Sequence, residues 1–218
     1  MLSENRLNAH IVSLTERYPA LRCCSESIAA AYSLIEQTYI NNGKLLVAGN
    51  GGSAADSEHI VGELMKGFMR PRRVRDEFIQ KCQDIDNQKG TVISKHLQGA
   101  LPAIALTGHN SLSTAYMNDC APELVFAQQI FGFGQTGDSF LAISTSGNSE
   151  NIIYAAIVAK AKGLKVIALT GNNDSELSAL ADVCIKVPET EIYKVQELHL
   201  PVYHCLCLML EDKFFGAE

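Results

Sequence analysis

The sequence predicts a three-layer α/β fold: a doubly wound, five-stranded parallel sheet with helices on both faces, preceded by N-terminal helices. Three observations predict it. Five short apolar runs alternate with helical stretches, which is the rhythm of a parallel sheet built by right-handed crossovers. Two of those runs end in glycine- and serine-rich turns, where ligands gather at the carboxyl ends of parallel strands. The chain has 218 residues, 47% hydrophobic and 19% charged, enough for one domain with a sizeable core.

The elements follow in order. Residues 3 to 42 carry helical periodicity, with Ile11, Leu14 and Tyr18 on one stripe and Pro19 separating two helices. This pair is expected to pack on the core at 43–218 and to serve oligomerisation. Asn41-Asn42-Gly43 stops the second helix. Leu45–Ala48 is the first strand, and Gly49 to Ser53 turns into a helix from Ala54. Residues 70–99 form a charged insertion, taken as a solvated surface excursion that includes Arg70, Arg72, Arg73 and Arg75. Within it, Lys81 to Gly90 reads as a mobile loop or short helix. Strand two is Pro102–Leu106, followed by a helix over Ser111–Met117 that Asn118-Asp119 breaks. A further helix covers Phe126–Phe131. Strand three, Ser139–Ile143, runs into Ser144-Thr145-Ser146-Gly147-Asn148-Ser149 and a long helix. Val166–Leu169 and Val183–Val187 are strands four and five, with a helix over Ser175–Ala181 between them. A last helix spans Glu191–Phe214.

The first turn forms a cup of backbone N–H groups at a helix start, where the dipole is positive and the first amides have no helical partner. That suits an anion, although such turns are common in α/β folds. On the same helix His59 and Glu63 are four residues apart, on one face. A pair at this spacing is more often solvated than functional. The second turn crowds four hydroxyls and a glycine into six residues. One N-cap explains one hydroxyl; four suit the oxygens of a phosphate monoester. No Walker lysine follows, which argues against a nucleoside triphosphate. His204 stands in a mostly apolar run, where a satisfied core histidine is the default.

Net charge is -6 and the pI about 5.5, which argues against general nucleic-acid binding. Seven cysteines without a CxxC pair read as reduced thiols of a cytoplasmic protein. The N-terminus is too polar for a signal peptide, and no run is long enough to span a membrane.

Together GNGGSAADSEH…E, Asn118-Asp119, STSGNS and QExH…H resemble the SIS (sugar isomerase) domain, within it the phosphoheptose isomerase branch. The resemblance covers about residues 25–215 outside the 70–99 insertion. It implies an aldose–ketose isomerase that converts sedoheptulose 7-phosphate to D-glycero-D-manno-heptose 7-phosphate through an enediol, for nucleotide-heptose and cell-surface glycan synthesis. It implies that Asn50, Gly51, Gly52, Ser53, Ser144, Thr145, Ser146, Ser149 and Gln196 hold the sugar phosphate, and that Asn118 and Asp119 meet its hydroxyls. Glu63 and His204 would be the acid/base pair. His59, Glu63, Gln196 and His204 match the ligands of one zinc ion, whose preferences they meet. Where relatives carry an arginine after the glutamate, this chain has Gly67 between Lys66 and Arg70; where they carry an aspartate before the glutamine, it has Tyr193. A different reading is a non-catalytic SIS protein, binding a sugar phosphate or the replication initiator DnaA. Such a protein needs neither Glu63 nor His204, and both are present.

Gln196 and His204 are eight residues apart, about 12 Å along a regular helix. Either Gln196 lies in an irregular helix start or the site combines subunits, and Pro201 disturbs the helix in any case. The expectation is a site at a subunit interface, in keeping with the homotetramer usual in the resembled family.

Overall fold

The computed structural model describes residues 2–216, with side chains from residue 8 onward. Its five strands are β1 (Leu45–Ala48), β2 (Ala103–Ala105), β3 (Ser139–Ile143), β4 (Lys165–Thr170) and β5 (Val183–Lys186). All pair in parallel, in the order β2-β1-β3-β4-β5. Each strand lies within about a residue or two of its expected position, because continuous apolar runs fix a strand buried on both faces.

The sheet sorts its residues by alternation. Leu45 and Val47 of β1, Leu141 and Ile143 of β3, and Ile167 and Leu169 of β4 face one layer. That layer holds α1 (Leu2–Arg17), α2 (Ser25–Ile40), α3 (Gly52–Met65) and α10 (Ile192–Phe215). Leu46, Ala48, Phe140, Ala142, Val166 and Ala168 face the other. There α7 (Val125–Phe133), α8 (Glu150–Ala161) and α9 (Glu176–Leu180) cover the sheet, with α6 (Asn110–Asp119) at its margin. From the N-terminal stripe, Ile11 and Leu14 are buried in the first layer.

Three details differ from expectation. Residues 70–99 hold more helix than expected: where Lys81–Gly90 reads as a mobile loop or short helix, the segment forms a helical hairpin, α4 (Asp76–Ile85) and α5 (Asn87–His96). The Asp86 side chain caps α5 by accepting from the Lys89 amide at 2.9 Å, a local signal easily lost among charges. Nor is the arginine cluster all solvated. The Arg72 guanidinium is fully buried; it donates to Glu211 Oε1 at 2.9 Å and to the carbonyls of Glu63 at 2.8 Å and Leu64 at 2.5 Å. Finally, α10 runs unbroken through Pro201, while α6 ends at Asp119, its last two residues being Asn118 and Asp119. Around Pro201 the helix buries Val202, Tyr203, Cys205 and Leu206, and this packing outweighs one missing hydrogen bond.

Candidate active site

In this strand order β1 connects outward to β2 while β3 connects onward to β4 on the other side. The crevice at their carboxyl ends is therefore the topological switch point, where doubly wound sheets bind ligands. Both Gly/Ser turns meet there. Gly51 makes the first possible, since its φ of +56° is strained for other residues. Together the turns and α10 enclose a cavity of about 250 Å³. Asn50, Gly51, Gly52 and Ser53 line it from the first turn, Ser144, Thr145 and Ser149 from the second, and Gln196 from α10. Among the described residues no lysine or arginine lines it, so an anion held here would rest on amides, hydroxyls and the starts of α3 and α8.

The loops that shape this cradle are cross-braced. Asn50 and Asn151 exchange amide hydrogen bonds of 2.9 Å in both directions. The Ser144 and Ser149 hydroxyls are 3.0 Å apart, and the Gly147 amide donates to Ser144 Oγ at 3.1 Å. Ser146 turns elsewhere. Its hydroxyl accepts from the Asn148 amide at 3.1 Å, and it lines an adjoining cavity with Asn172 and Asp174. Asn118 and Asp119 are exposed at the end of α6, hydrogen-bonded to each other at 2.8 Å and outside the cradle lining.

The second half of the site lies further along α3 and α10, which run side by side. At one end Gln196 packs on Gly52. Seven and eight residues on, His59 and His204 stack edge to face with ring centroids 5.0 Å apart. His59 Nε2 is 3.3 Å from Glu63 Oε1. Glu63, His59 and His204 thus form one cluster within a single chain. The other Glu63 oxygen accepts from Lys66 Nζ at 2.9 Å. Burial lowers the His204 pKa below the usual histidine range, and the neighbouring His59 adds to this against the charge of Glu63. Among the described residues its Nε2, which is buried, has no hydrogen-bond partner.

Two residues that motif reading passed over organise this cluster. The Tyr203 hydroxyl donates to Asp56 Oδ1 at 3.1 Å, and His59 Nδ1 lies 3.1 Å from the same hydroxyl. With the phenol proton directed at Asp56, Nδ1–H must be the donor to Tyr203. In a neutral imidazole the Nε2 lone pair then faces Glu63, so the pair needs a cation or a proton between them. Asp56 could have been found by its position one turn before His59; Tyr203 looks like any core aromatic in a sequence.

The expected metal can be tested on these distances. Tetrahedral zinc with bonds of about 2.0–2.1 Å sets neighbouring ligand atoms about 3.3 Å apart, which is the observed His59–Glu63 separation. The hydroxyl and carboxylate behind His59 are the outer partners such a ligand has. Among the described residues, however, no group of three or more His, Cys, Asp or Glu side chains stands ready to hold a metal ion. Gln196 lies in regular helix about 12 Å from His204, so the irregular-start alternative fails. The chain therefore offers one edge of a zinc site, with His204 beside it.

Two descriptions of the SIS domain match the chain, at residues 80–171 and 134–209. The first match takes in residues 80–99 of the 70–99 segment. The phosphoheptose isomerase of Rhodospirillum rubrum is 32% identical over 209 residues, covering 96% of this chain and 97% of that protein. The chain belongs to the phosphoheptose isomerase family of SIS-domain proteins. The enzyme of Aneurinibacillus thermoaerophilus is 38% identical over 82% of the chain and 77% of its own length. Solved phosphoheptose isomerases share the whole architecture. That of Neisseria gonorrhoeae has a TM-score of 0.72 at 31% identity, covering 96% of this chain and 98% of its own. That of Francisella tularensis has 0.74 at 30%, covering 97% and 100%. Among the described residues no helix is long and apolar enough to cross a membrane.

Proposed function

We propose that the chain isomerises sedoheptulose 7-phosphate to D-glycero-D-manno-heptose 7-phosphate. The observation that carries this reading is the convergence of Glu63 and His204, through His59, at a fixed distance from the phosphate cradle. Seven or eight helical residues separate the Gly52–Gln196 contact from the His59–His204 contact, about 10–12 Å. In the substrate seven bonds separate phosphorus from C2, about 8 Å when extended at about 3.5 Å per three bonds. Side chains reaching in from the rims close the difference.

With phosphate in the cradle, C1 and C2 lie beside the cluster. Glu63 removes a proton from C1 of the ketose, exchanges it with solvent, and delivers a proton to C2 of the enediol. His204, held neutral by burial, carries the hydroxyl proton from O1 to O2. Carbon and oxygen each lose and regain one proton, so the step is balanced without a redox partner. Lys66 holds the second Glu63 oxygen and fixes the direction of the first.

Zinc belongs to the proposal. His59 and Glu63 would hold it from one edge, with His204 and Gln196 joining the set in the assembled homotetramer. When bound, it supplies a positive charge that polarises the carbonyl and stabilises the enediolate. In the same assembly Asn118 and Asp119 would reach a neighbour's sugar hydroxyls.

The decisive experiment is NMR of sedoheptulose 7-phosphate with the protein in D₂O. Aldose should form with deuterium at C2. Glu63→Gln should abolish both signals and still bind the sugar phosphate. Normal turnover by that variant would overturn the assignment.

A further inference from the structure

The α4–α5 hairpin has an inner and an outer face. Inside, Gly90 presses on the partner helix, where a Cβ would stand 2.6 Å from the Gln83 backbone. Outside, Phe78 and Ile85 on α4 are 50% and 87% exposed, and Val92, Ile93 and Leu97 along and just past α5 are exposed as well. No residue of α4 is buried, and in α5 only Gly90 is. The hairpin packs on itself and joins the domain at its base. That base is firm: Arg73 bridges to Gln98, the Gly99 amide donates to the Arg72 carbonyl at 2.8 Å, and the Arg72 guanidinium is locked in the core. Two ten-residue helices with so little buried lack the packing that normally sustains helices of this length. An apolar outer face held on a rigid base is the mark of an interaction surface.

Charge indicates what covers it. Helix α4 carries Asp76, Glu77 and Asp84 against Lys81, three negative and one positive, net -2. Helix α5 carries Lys89 and Lys95, net +2. The ion pairs at the hairpin are local, Arg73 with Asp76 and Lys89 with Asp86. Among the described residues Glu77, Lys81, Asp84 and Lys95 have no ion-pair partner, so the opposite charges of the two helices are not spent on each other. A two-fold axis that lays α4 of one copy on α5 of another matches acid to base twice and joins the apolar stripes.

We propose that the hairpin is a self-association surface, on which a second copy of this chain docks its own hairpin to make an antiparallel four-helix bundle. The inference rests on the hairpin alone and is independent of the isomerase reading.

Charge exchange tests it by sedimentation of the full-length chain. One variant carries Glu77→Lys and Asp84→Lys, a second Lys89→Glu and Lys95→Glu. Each alone opposes like charges across the two-fold axis and should sediment as an assembly of half the mass. An equimolar mixture restores both attractive contacts and should recover the original mass. A third variant, Phe78→Ser with Ile85→Ser, should lose association without rescue by either; both positions are half or more exposed, so the single-chain fold is retained. If all three variants sediment like the unaltered chain, the hairpin is no self-interface. If the two charge variants dissociate but their mixture fails to recover, α4 does not dock on α5 across the axis and the four-helix arrangement is overturned.

Discussion

The side-chain amide of Gln196 occupies the space beside Gly52: a Cβ there would lie 2.7 Å from Nε2 and 3.0 Å from Cδ. One residue of α10 thus closes the cradle only because one residue of α3 has no side chain. Gly52→Ala should push the Gln196 amide aside, raising KM for the sugar phosphate about tenfold, a loss of about 1.4 kcal/mol. The neighbour is the far end of a flexible side chain, so the melting temperature should hardly move. Steady-state kinetics beside a thermal melt check both halves.

Zinc content gives a readout apart from turnover. Protein purified with zinc present should carry about one ion per chain by plasma mass spectrometry. His59→Ala and Glu63→Gln should each lose most of it. Full zinc occupancy in both variants would remove those residues from the ligand set.

The buried Arg72–Glu211 pair predicts an asymmetric double-mutant cycle. Burial pushes the Glu211 carboxyl up, but the Phe68 and Met69 amides and the Arg72 guanidinium outweigh it and hold it low. Arg72→Met leaves that carboxylate buried and frees two carbonyls at the end of α3, at a cost of about 3–5 kcal/mol. Adding Glu211→Gln should recover part of the loss, because the uncompensated charge is gone. Urea unfolding of the two single variants and the double variant measures this. Since the Glu63 carbonyl is one of the two freed, Arg72→Met should also lower kcat more than it raises KM.

His199 governs stability in mild acid. It is fully buried, and burial lowers its pKa to about 4 from 6.5, against the nearby Thr170 backbone. The unfolded chain therefore takes up this proton first as pH falls. The contribution is whole above pH 6.5 and is lost progressively down to about pH 4, amounting to about 3 kcal/mol. Glu211, whose pKa is depressed, loses its contribution only below its ordinary value of 4.5. Unfolding free energies between pH 7 and 5 should show the slope, and His199→Leu should flatten it.

The sheet was legible because its strands are short apolar runs with glycine at their ends, and those signals are local. The cradle was legible for the same reason: seven of its lining residues come from two contiguous turns. The helical hairpin was not, since its charges mask the apolar stripe and its cap is one aspartate. Arg72 was misjudged because burial of a cation depends on Glu211, 139 residues away. Tyr203 and Asp56 gain meaning only when α3 and α10 lie side by side, a tertiary fact that no spacing encodes. Asn118 and Asp119 stand apart in one chain, so their sequence motif alone says nothing of what they touch.

The parallel course of α3 and α10 also acts as a gauge. The cradle and Glu63 both ride on α3, a rigid rod, so a phosphorylated sugar two carbons shorter, with about 2.5 Å less reach, should turn over more slowly. Chain length is then screened by the scaffold, before any hydroxyl is inspected, and altering the preferred length would require moving the carboxylate along α3.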